Sequence, residues 1–508
     1  MASIADRPRQ RSAQKELRRQ LRGRRPSANR LRQQLLDYRR RLARKARASR
    51  RRIADDHRRL PEPIRAAFEP LAPALTRPTY HRLVLLALAA LLTIGGRTVA
   101  NLLRTLGALA PGHPSGYHRA LSHRRWATRA LVRRYIAAVL DRFAPDGPVT
   151  LAGDDTVTEH RGAKVYGKGR HRDPVRSTRS FTAYRWGHKW VVLALLDRPA
   201  SGRRRWALPL MVALSRPEEK EAESGGPRPR RAHKTPPDLL AQMLRILIRW
   251  FPDRQFVCCG DGNYATHELA ELAAAHPGRL TFVSKFYEDA NLFEPPPPYS
   301  GSGRPRVKGK ELPKPARVVA DATERPELEV AWYCGGRRRV ETVTGVGHWY
   351  KGGRPLVPVR WVFVRDRAGT HRDEYFFTTV VAMSAKEVIE IYTARWNIET
   401  TFQEMRAYLG LETTRGRVRN TVLRAEPGLF ALYTLVAWLY AEAPSRYRRD
   451  RPVAWPGKPE VTFSDAITAV RRWLWVECVF ARPGHRETFQ KLDRGLRRIL
   501  LNGLAPTA

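Results

Sequence analysis

The spacing of apolar residues changes repeatedly along the chain, and each change marks a segment. Residues 1–75 hold no apolar period. Arginine dominates, in runs such as Arg39-Arg40-Arg41 and Arg50-Arg51-Arg52, and Tyr38 is the one aromatic before residue 60. Such a segment cannot bury a core and reads as a flexible or helical basic arm. Residues 76–147 take helical spacing. An apolar helix over 80–92 is broken by Gly95-Gly96. The next, over 97–106, turns Val99, Leu102, Leu103 and Leu106 inward and Arg97, Asn101 and Arg104 outward. A further helix from about Tyr117 carries His118, Arg119, Arg124 and Arg125. Helix, glycine turn and basic helix is the outline of a helix-turn-helix DNA-binding domain.

From 148 to 285 the pattern shortens to strands. The run 149–152 ends in Gly153-Asp154-Asp155-Thr156, the runs 190–196 and 206–214 are apolar, and 256–259 ends in Gly260-Asp261-Gly262. His188 and Lys189 lie at the start of the second run and could reach phosphate, with solvent exposure the favoured reading. Amphipathic helices over 236–251 and 265–275 alternate with the later strands, and the strand 280–285 ends in Lys285. Residues 286–381 open with a Pro- and Gly-rich linker and continue as short alternating strands. Residues 382–420 contain one long helix, 384–411, and 421–508 are helical. The expected fold is α/β: a mixed sheet with helices, interrupted by an all-β insertion, with helical N-terminal DNA-binding and helical C-terminal regions.

Charge narrows the partners. The chain of 508 residues carries 94 Lys+Arg against 48 Asp+Glu, a formal net charge of +46. Two bases per acid favour a polyanion, nucleic acid before an anionic membrane. None of the four cysteines stands in a Cys-x-x-Cys pair, which argues against a zinc site or disulfide framework. The longest apolar run, 83–94, falls short of the roughly 18 residues that span a bilayer. No apolar signal segment opens the sequence. The expectation is a cytoplasmic, DNA-associated protein with no membrane partner.

Three acids suggest chemistry. Asp155 and Asp261 sit at strand ends, where carboxylates project from a sheet edge towards ligands. Each alone is as readily a turn or helix cap. Glu399 lies on the long helix, and at about 100° per residue Tyr392, Arg395, Glu399 and Arg406 fall within about a 60° arc. Ile391, Ile398, Phe402, Met405 and Leu409 form a separate stripe that can pack on a sheet. Magnesium takes oxygen ligands, usually a few carboxylates plus substrate phosphate. Arg and Tyr beside them can hold phosphate oxygens. Lys285 is a further phosphate candidate.

Asp-Asp-Thr at 154–156, Gly-Asp-Gly at 260–262 and Tyr-x-x-Arg-Trp-x-Ile-Glu at 392–399 resemble the DDE transposases of bacterial insertion sequences. The resemblance is to the superfamily with a Tyr-x-x-Arg-x-x-x-Glu signature, of the insertion sequence four type, and covers roughly residues 80–440. It implies an RNase H-like core with the β insertion before the acidic helix. It also implies catalytic and metal-ligating acids at Asp155, Asp261 and Glu399, with Asp155 chosen over Asp154 because it precedes Thr. Two divalent ions, magnesium or manganese, would serve each active site. DNA contacts would fall to Tyr392, Arg395, Arg406, Lys285, Arg97, Asn101 and Arg104. The family signature ends in Lys where this chain has Arg406, which keeps the charge but not a compact ammonium. The implied function is cut-and-paste transposition. The partners would be double-stranded DNA, as terminal inverted repeats and target, and a second copy of the chain in a synaptic dimer. Two rivals remain: a metal nuclease that cuts without joining, and a non-catalytic basic DNA-binding protein.

Overall fold

The computed structural model describes residues 32–41, 43–44, 48 and 60–506, except 174–175, 179, 199–203, 218–232, 300, 302 and 450–459. Most of the basic arm lies outside the described residues, and 32–41 is an exposed helical stretch. There follow α1 (Glu62–Phe68), α2 (Arg77–Leu92), α3 (Val99–Leu106), α4 (Pro114–Ser122) and α5 (Thr128–Phe143). Next come β1 (Val149–Glu159), β2 (Gly169–Arg172), β3 (Tyr184–Asp197), β4 (Trp206–Ser215), α6 (Pro236–Trp250), β5 (Phe256–Gly260), α7 (His267–Ala274) and β6 (Leu280–Lys285). The chain continues through β7 (Leu292–Phe293), α8 (Pro315–Asp321), β8 (Glu327–Ala331), β9 (Arg337–Trp349), β10 (Val357–Asp366) and β11 (Glu374–Thr378). It ends in α9 (Ala385–Arg395), α10 (Asn397–Tyr408), α11 (Arg419–Glu442), α12 (Ser445–Arg449), α13 (Phe463–Leu474), α14 (Arg486–Lys491) and α15 (Arg494–Leu504).

All the strands join one large, mostly antiparallel sheet. Its order is β2-β3-β1-β5-β6-β11-β10-β9-β7, with β4 also on β3 and β8 also on β9. Only the central trio β1, β5 and β6 is parallel. The stretch 286–381 therefore departs from the expected all-β insertion in two ways: it contains α8, and its strands extend the main sheet through β11 on β6. The physical reason lies at that seam. Val283 on β6 and Phe376 and Phe377 on β11 are fully buried, and β6 would otherwise present an unpaired edge.

Helices cover both faces. On one, α6 starts at a capping box of Thr235 and Asp238 and buries Leu239, Leu240, Leu244 and Leu247. It comes so close to β1 that a Cβ on Gly153 would lie 2.7 Å from a Leu240 methyl. A larger residue there, immediately before Asp154-Asp155, would force the Leu240 side chain to shift. On the other face, Val388, Ile389 and Tyr392 of α9 pack with Cys259, Val283, Val362 and Phe376. The single helix expected over 384–411 is two, with Trp396 at the joint between α9 and α10. Ile398, Phe402, Met405 and Leu409 are buried as the stripe required.

Two further elements correct the sequence reading. Arg97, expected outward, is only 6% exposed. Its guanidinium donates to the carbonyls of Ala90, Gly95 and Tyr408, tying the α2–α3 turn to the end of α10. An amphipathic count cannot see a helix from elsewhere in the chain covering that position. The helix α11 is long and apolar enough to cross a membrane by composition. It nevertheless packs within this fold, burying Leu429, Phe430, Leu432, Tyr433, Val436 and Ala437, and it carries the buried Glu426.

Candidate active site

Pairing sets the site. Gly153 lies opposite Gly260 in the parallel ladder, so the residues that follow on β1 and after β5 emerge side by side. Successive strand residues face opposite sides, so Asp154 and Asp155 divide between the two faces of the sheet. Asp154 turns towards α9. There Arg395 donates one amino group to Asp154 Oδ2 (2.8 Å) and the other to Glu399 Oε1 (3.1 Å). The other oxygen of Asp154 accepts from the Asp155 amide (2.7 Å). Asp155 accepts from Lys189 Nζ (3.0 Å) and from the Tyr264 hydroxyl (3.2 Å). Asp261 accepts from the amide of Asn263 (2.9 Å), which caps the short turn that follows β5.

Four carboxyl groups and one buried guanidinium thus share one end of the central strands. Burial pushes the Asp154 carboxyl up to about 8, against the pull of Arg395 and with the push of Asp261. Burial also raises Asp261, opposed by Arg395 and reinforced by Asp155, and raises Glu399, opposed by Arg395 and reinforced by Asp261. Burial is the main cause, mutual repulsion among the acids adds to it, and one arginine does not offset the two together. An all-oxygen donor set of this kind suits a hard divalent cation.

The remaining candidates divide. Tyr392, expected at DNA, is 2% exposed and stacked on Phe376 with ring centroids 4.2 Å apart. Arg406 is bound inward, donating to Glu412 Oε1 (3.0 Å), Thr156 Oγ1 (2.6 Å) and the Val157 carbonyl (3.0 Å). It braces β1 against α10. Lys285 forms an ion pair with Glu374 (2.6 Å). Asn101 donates to the Gly96 carbonyl (2.8 Å), and Arg104 is exposed on α3, donating to Asn101 (3.1 Å).

Lys189, read as solvent-exposed, instead pairs with Asp155, while Tyr264 and a buried hub farther along β1 and β3 were not read from the sequence. Glu426 on α11 accepts from Trp190 Nε1 (2.6 Å), Thr158 (3.3 Å) and Thr414 (3.0 Å), and faces His160 Nε2 and His188 Nδ1. His188, expected in solvent, is fully buried and also bonds the Tyr166 carbonyl through Nε2 (2.9 Å). Burial alone would raise the Glu426 carboxyl, but the hydrogen bonds from His160 and His188 bring it down to about 2. Two imidazoles and a carboxylate are close enough to share a cation. The donors already on both Glu426 oxygens make the group a hydrogen-bonded clamp between α11, β1 and β3. The signal in the sequence was weak: alternate residues Thr158, His160 and His188, Trp190 at period two.

Comparison with known proteins bears on the same segments. A probable transposase for insertion sequence element IS5377 from Geobacillus stearothermophilus is 33% identical over 81 residues, 16% of this chain and 21% of that one. The chain therefore matches about a fifth of that relative's length. The solved piggyBac transposase in a synaptic complex with hairpin DNA aligns over 85% of this chain and 77% of that one, at 11% identity and a TM-score of 0.39. The profile of the DDE superfamily endonucleases matches residues 70–339, more than half of the chain and both strand-end aspartates, so the protein belongs to the DDE superfamily endonucleases.

Proposed function

We propose that this chain is a DNA transposase of the insertion-sequence type, which cuts DNA at the ends of a mobile element and joins those ends to new DNA. The observation that carries the reading is the gathering of Asp154 and Asp155 of β1, Asp261 after β5 and Glu399 of α10 at one end of the central strands, with Arg395 bonded to Asp154 and Glu399. The partial order β4-β3-β1-β5-β6, with the last three parallel and the first two antiparallel, supports an RNase H-like core.

In this reading Asp155, Asp261 and Glu399 are the catalytic acids and would hold the divalent ions, magnesium or manganese. Bound there, such ions would polarise the reacting phosphate and lower the pKa of the attacking oxygen. Asp155 is preferred because it is partly open to solvent and held by an amine and a phenol, groups that can yield to a cation. Asp154 has both oxygens engaged and orients Arg395, which orients Glu399. With Asp155 holding a divalent ion, Lys189 would be free to meet the negative phosphate. Water is the nucleophile in the cleavage step: its oxygen bonds to phosphorus and the 3′ oxygen leaves as a hydroxyl. That hydroxyl then attacks a second phosphodiester in the joining step: its oxygen bonds to phosphorus, and the 3′ oxygen of the strand under attack leaves as a hydroxyl. Arg104 and Asn101 on α3 are the contacts proposed for the element ends, with Lys285 available if it leaves Glu374. Arg97, Tyr392, Arg395 and Arg406 serve as the frame. The partners are double-stranded DNA and a second copy of the chain, and the setting is cytoplasmic.

The test is cleavage of a supercoiled plasmid bearing the parent element's ends, with magnesium, comparing wild type with Asp155→Ala, Asp261→Ala and Glu399→Ala. Excision by wild type and binding without cleavage by each variant is the expected result. Cutting without strand transfer from a pre-cut end would make the protein a nuclease. Equal binding with no cutting by any of the four would leave only a DNA-binding protein.

A further inference from the structure

We propose that the β2–β3 hairpin carries a stacking platform for unpaired DNA bases beside the active site. The inference rests on the DNA reading above for its setting, but not for its test. Residues 161–189 hold nine Lys or Arg and one acid, Asp173. That acid is consumed by Arg185 (2.6 Å) and Arg176 on the hairpin itself. Large aromatics stand out from this basic surface: Phe181 is 65% exposed, Tyr184 49% and Trp186 56%.

Tyr184 and Trp186 are two residues apart on β3 and share a face. Across the hairpin they pair with Arg172 and Arg170. The guanidinium of Arg170 lies 3.8 Å from the Tyr184 ring centroid, and Lys168 Nζ lies 5.4 Å from that of Trp186. Cations over aromatic rings hold the rings in place and offer a guanidinium plane as a further stacking surface. Gly187 permits the construction, because a Cβ there would collide with the Thr158 carbonyl of β1.

A charged edge strand by itself guards against strand pairing, and lysines suffice for that. Exposed rings interleaved with cations instead match the surface on which single-stranded nucleic acid lies, phosphates to the cations and bases to the rings. A second copy of this chain is disfavoured as the occupant, since it brings the same charge of +46. Position adds function. On β3 Trp186 shares a face with Val192, the residue opposite Asp154 on β1, six residues on and about 20 Å away at strand rise. On the same side of the sheet, Arg419 stacks over Tyr166. Arg415, Arg417 and Arg419 are exposed in the turn that enters α11. A strand leaving the acid cluster along this path meets the platform close to the reacting phosphate, so the bases it takes are those opened at the element boundary.

The experiment uses the full chain, a labelled dT oligonucleotide and a blunt duplex of equal length, read by fluorescence anisotropy without metal. Trp186→Ala and Tyr184→Ala should each weaken binding of the oligonucleotide on the order of tenfold, the loss expected for one stacked base, and change duplex binding less than about twofold. Trp186→Phe should restore most of the loss, and thermal melting should be that of wild type. Unchanged oligonucleotide affinity in both alanine variants overturns the proposal. Equal losses for oligonucleotide and duplex overturn it too, since they mean a charge or folding effect. Because no cleavage is measured, failure of the transposase reading and failure of the platform give different results.

Discussion

At the scale of the residue, the site turns on which neighbour each acid keeps. Asp154 and Asp155 are adjacent in sequence, yet the pleat sends one to Arg395 and the other to Lys189 and Tyr264. Asp154→Asn keeps the size and removes a charge that burial already disfavours, so melting should change little. Cleavage should fall about 10- to 100-fold, the usual cost of losing a partner that orients a ligand. Asp155→Asn should reduce cleavage further still. The reverse ranking in a plasmid-cleavage assay would make Asp154 the catalytic acid. Glu426 makes a different prediction. Its folded pKa lies near 2 against an ordinary 4.5. A depressed acid contributes stability that is full above its unfolded value and lost as pH falls through the folded one. The difference corresponds to about 3 kcal/mol, lost between about pH 4.5 and 2. Glu426→Gln should lower stability at pH 7 by roughly that amount and flatten acid unfolding in that window, measured by urea titration at several pH values. An unchanged acid limb would mean that the clamp is not what holds α11 to the sheet.

Elements decide which basic residues are free. The helical period marks Arg97, Asn101 and Arg104 as one outward set, and α3 exists as expected, capped by Thr98. Yet the end of α10 closes over Arg97 and leaves Arg104 open. Arg97→Ala should therefore destabilise the fold by about 1.5–3 kcal/mol, as loss of charged hydrogen bonds does. Arg104→Ala should leave melting unchanged and weaken binding of end-containing DNA. If Arg97→Ala melts like wild type and loses DNA instead, the helical turn is a reading head and the buried geometry is wrong. The joint at Trp396 is another decision of this scale. Sequence period runs through it without a break, while Thr393 and Arg395 before the joint bond Ala331 and Asp154, and Asn397 after it donates to the Ala394 carbonyl.

At the scale of the whole molecule, one sheet links the acid cluster, the basic hairpin and the strands of 286–381. A net charge of +46 predicts binding dominated by counterion release. Affinity for non-specific duplex should fall at least about a thousandfold between roughly 50 and 200 mM salt, as it does for six or more phosphate contacts. A flat titration would remove nucleic acid from the reading. Much of this was legible along the chain. Polar and apolar periods located β1, β5, β6, α6 and the α2–α3 pair, and the order of Asp155, Asp261 and Glu399 pointed to one family. Those features are local: a strand end, a turn and a helix face are written in neighbouring residues. What tertiary structure alone decided was pairing and cover. Gly153 opposite Gly260 brings two aspartates side by side, β11 on β6 fuses an apparent insertion into the sheet, Tyr392, Arg97 and His188 disappear under partners more than 15 residues away, and Arg406 is turned towards β1. Period reports which side of an element is apolar. It carries no information on which distant segment will lie against the polar side, and that contact decides whether a polar residue is left open to a partner or bound within the fold.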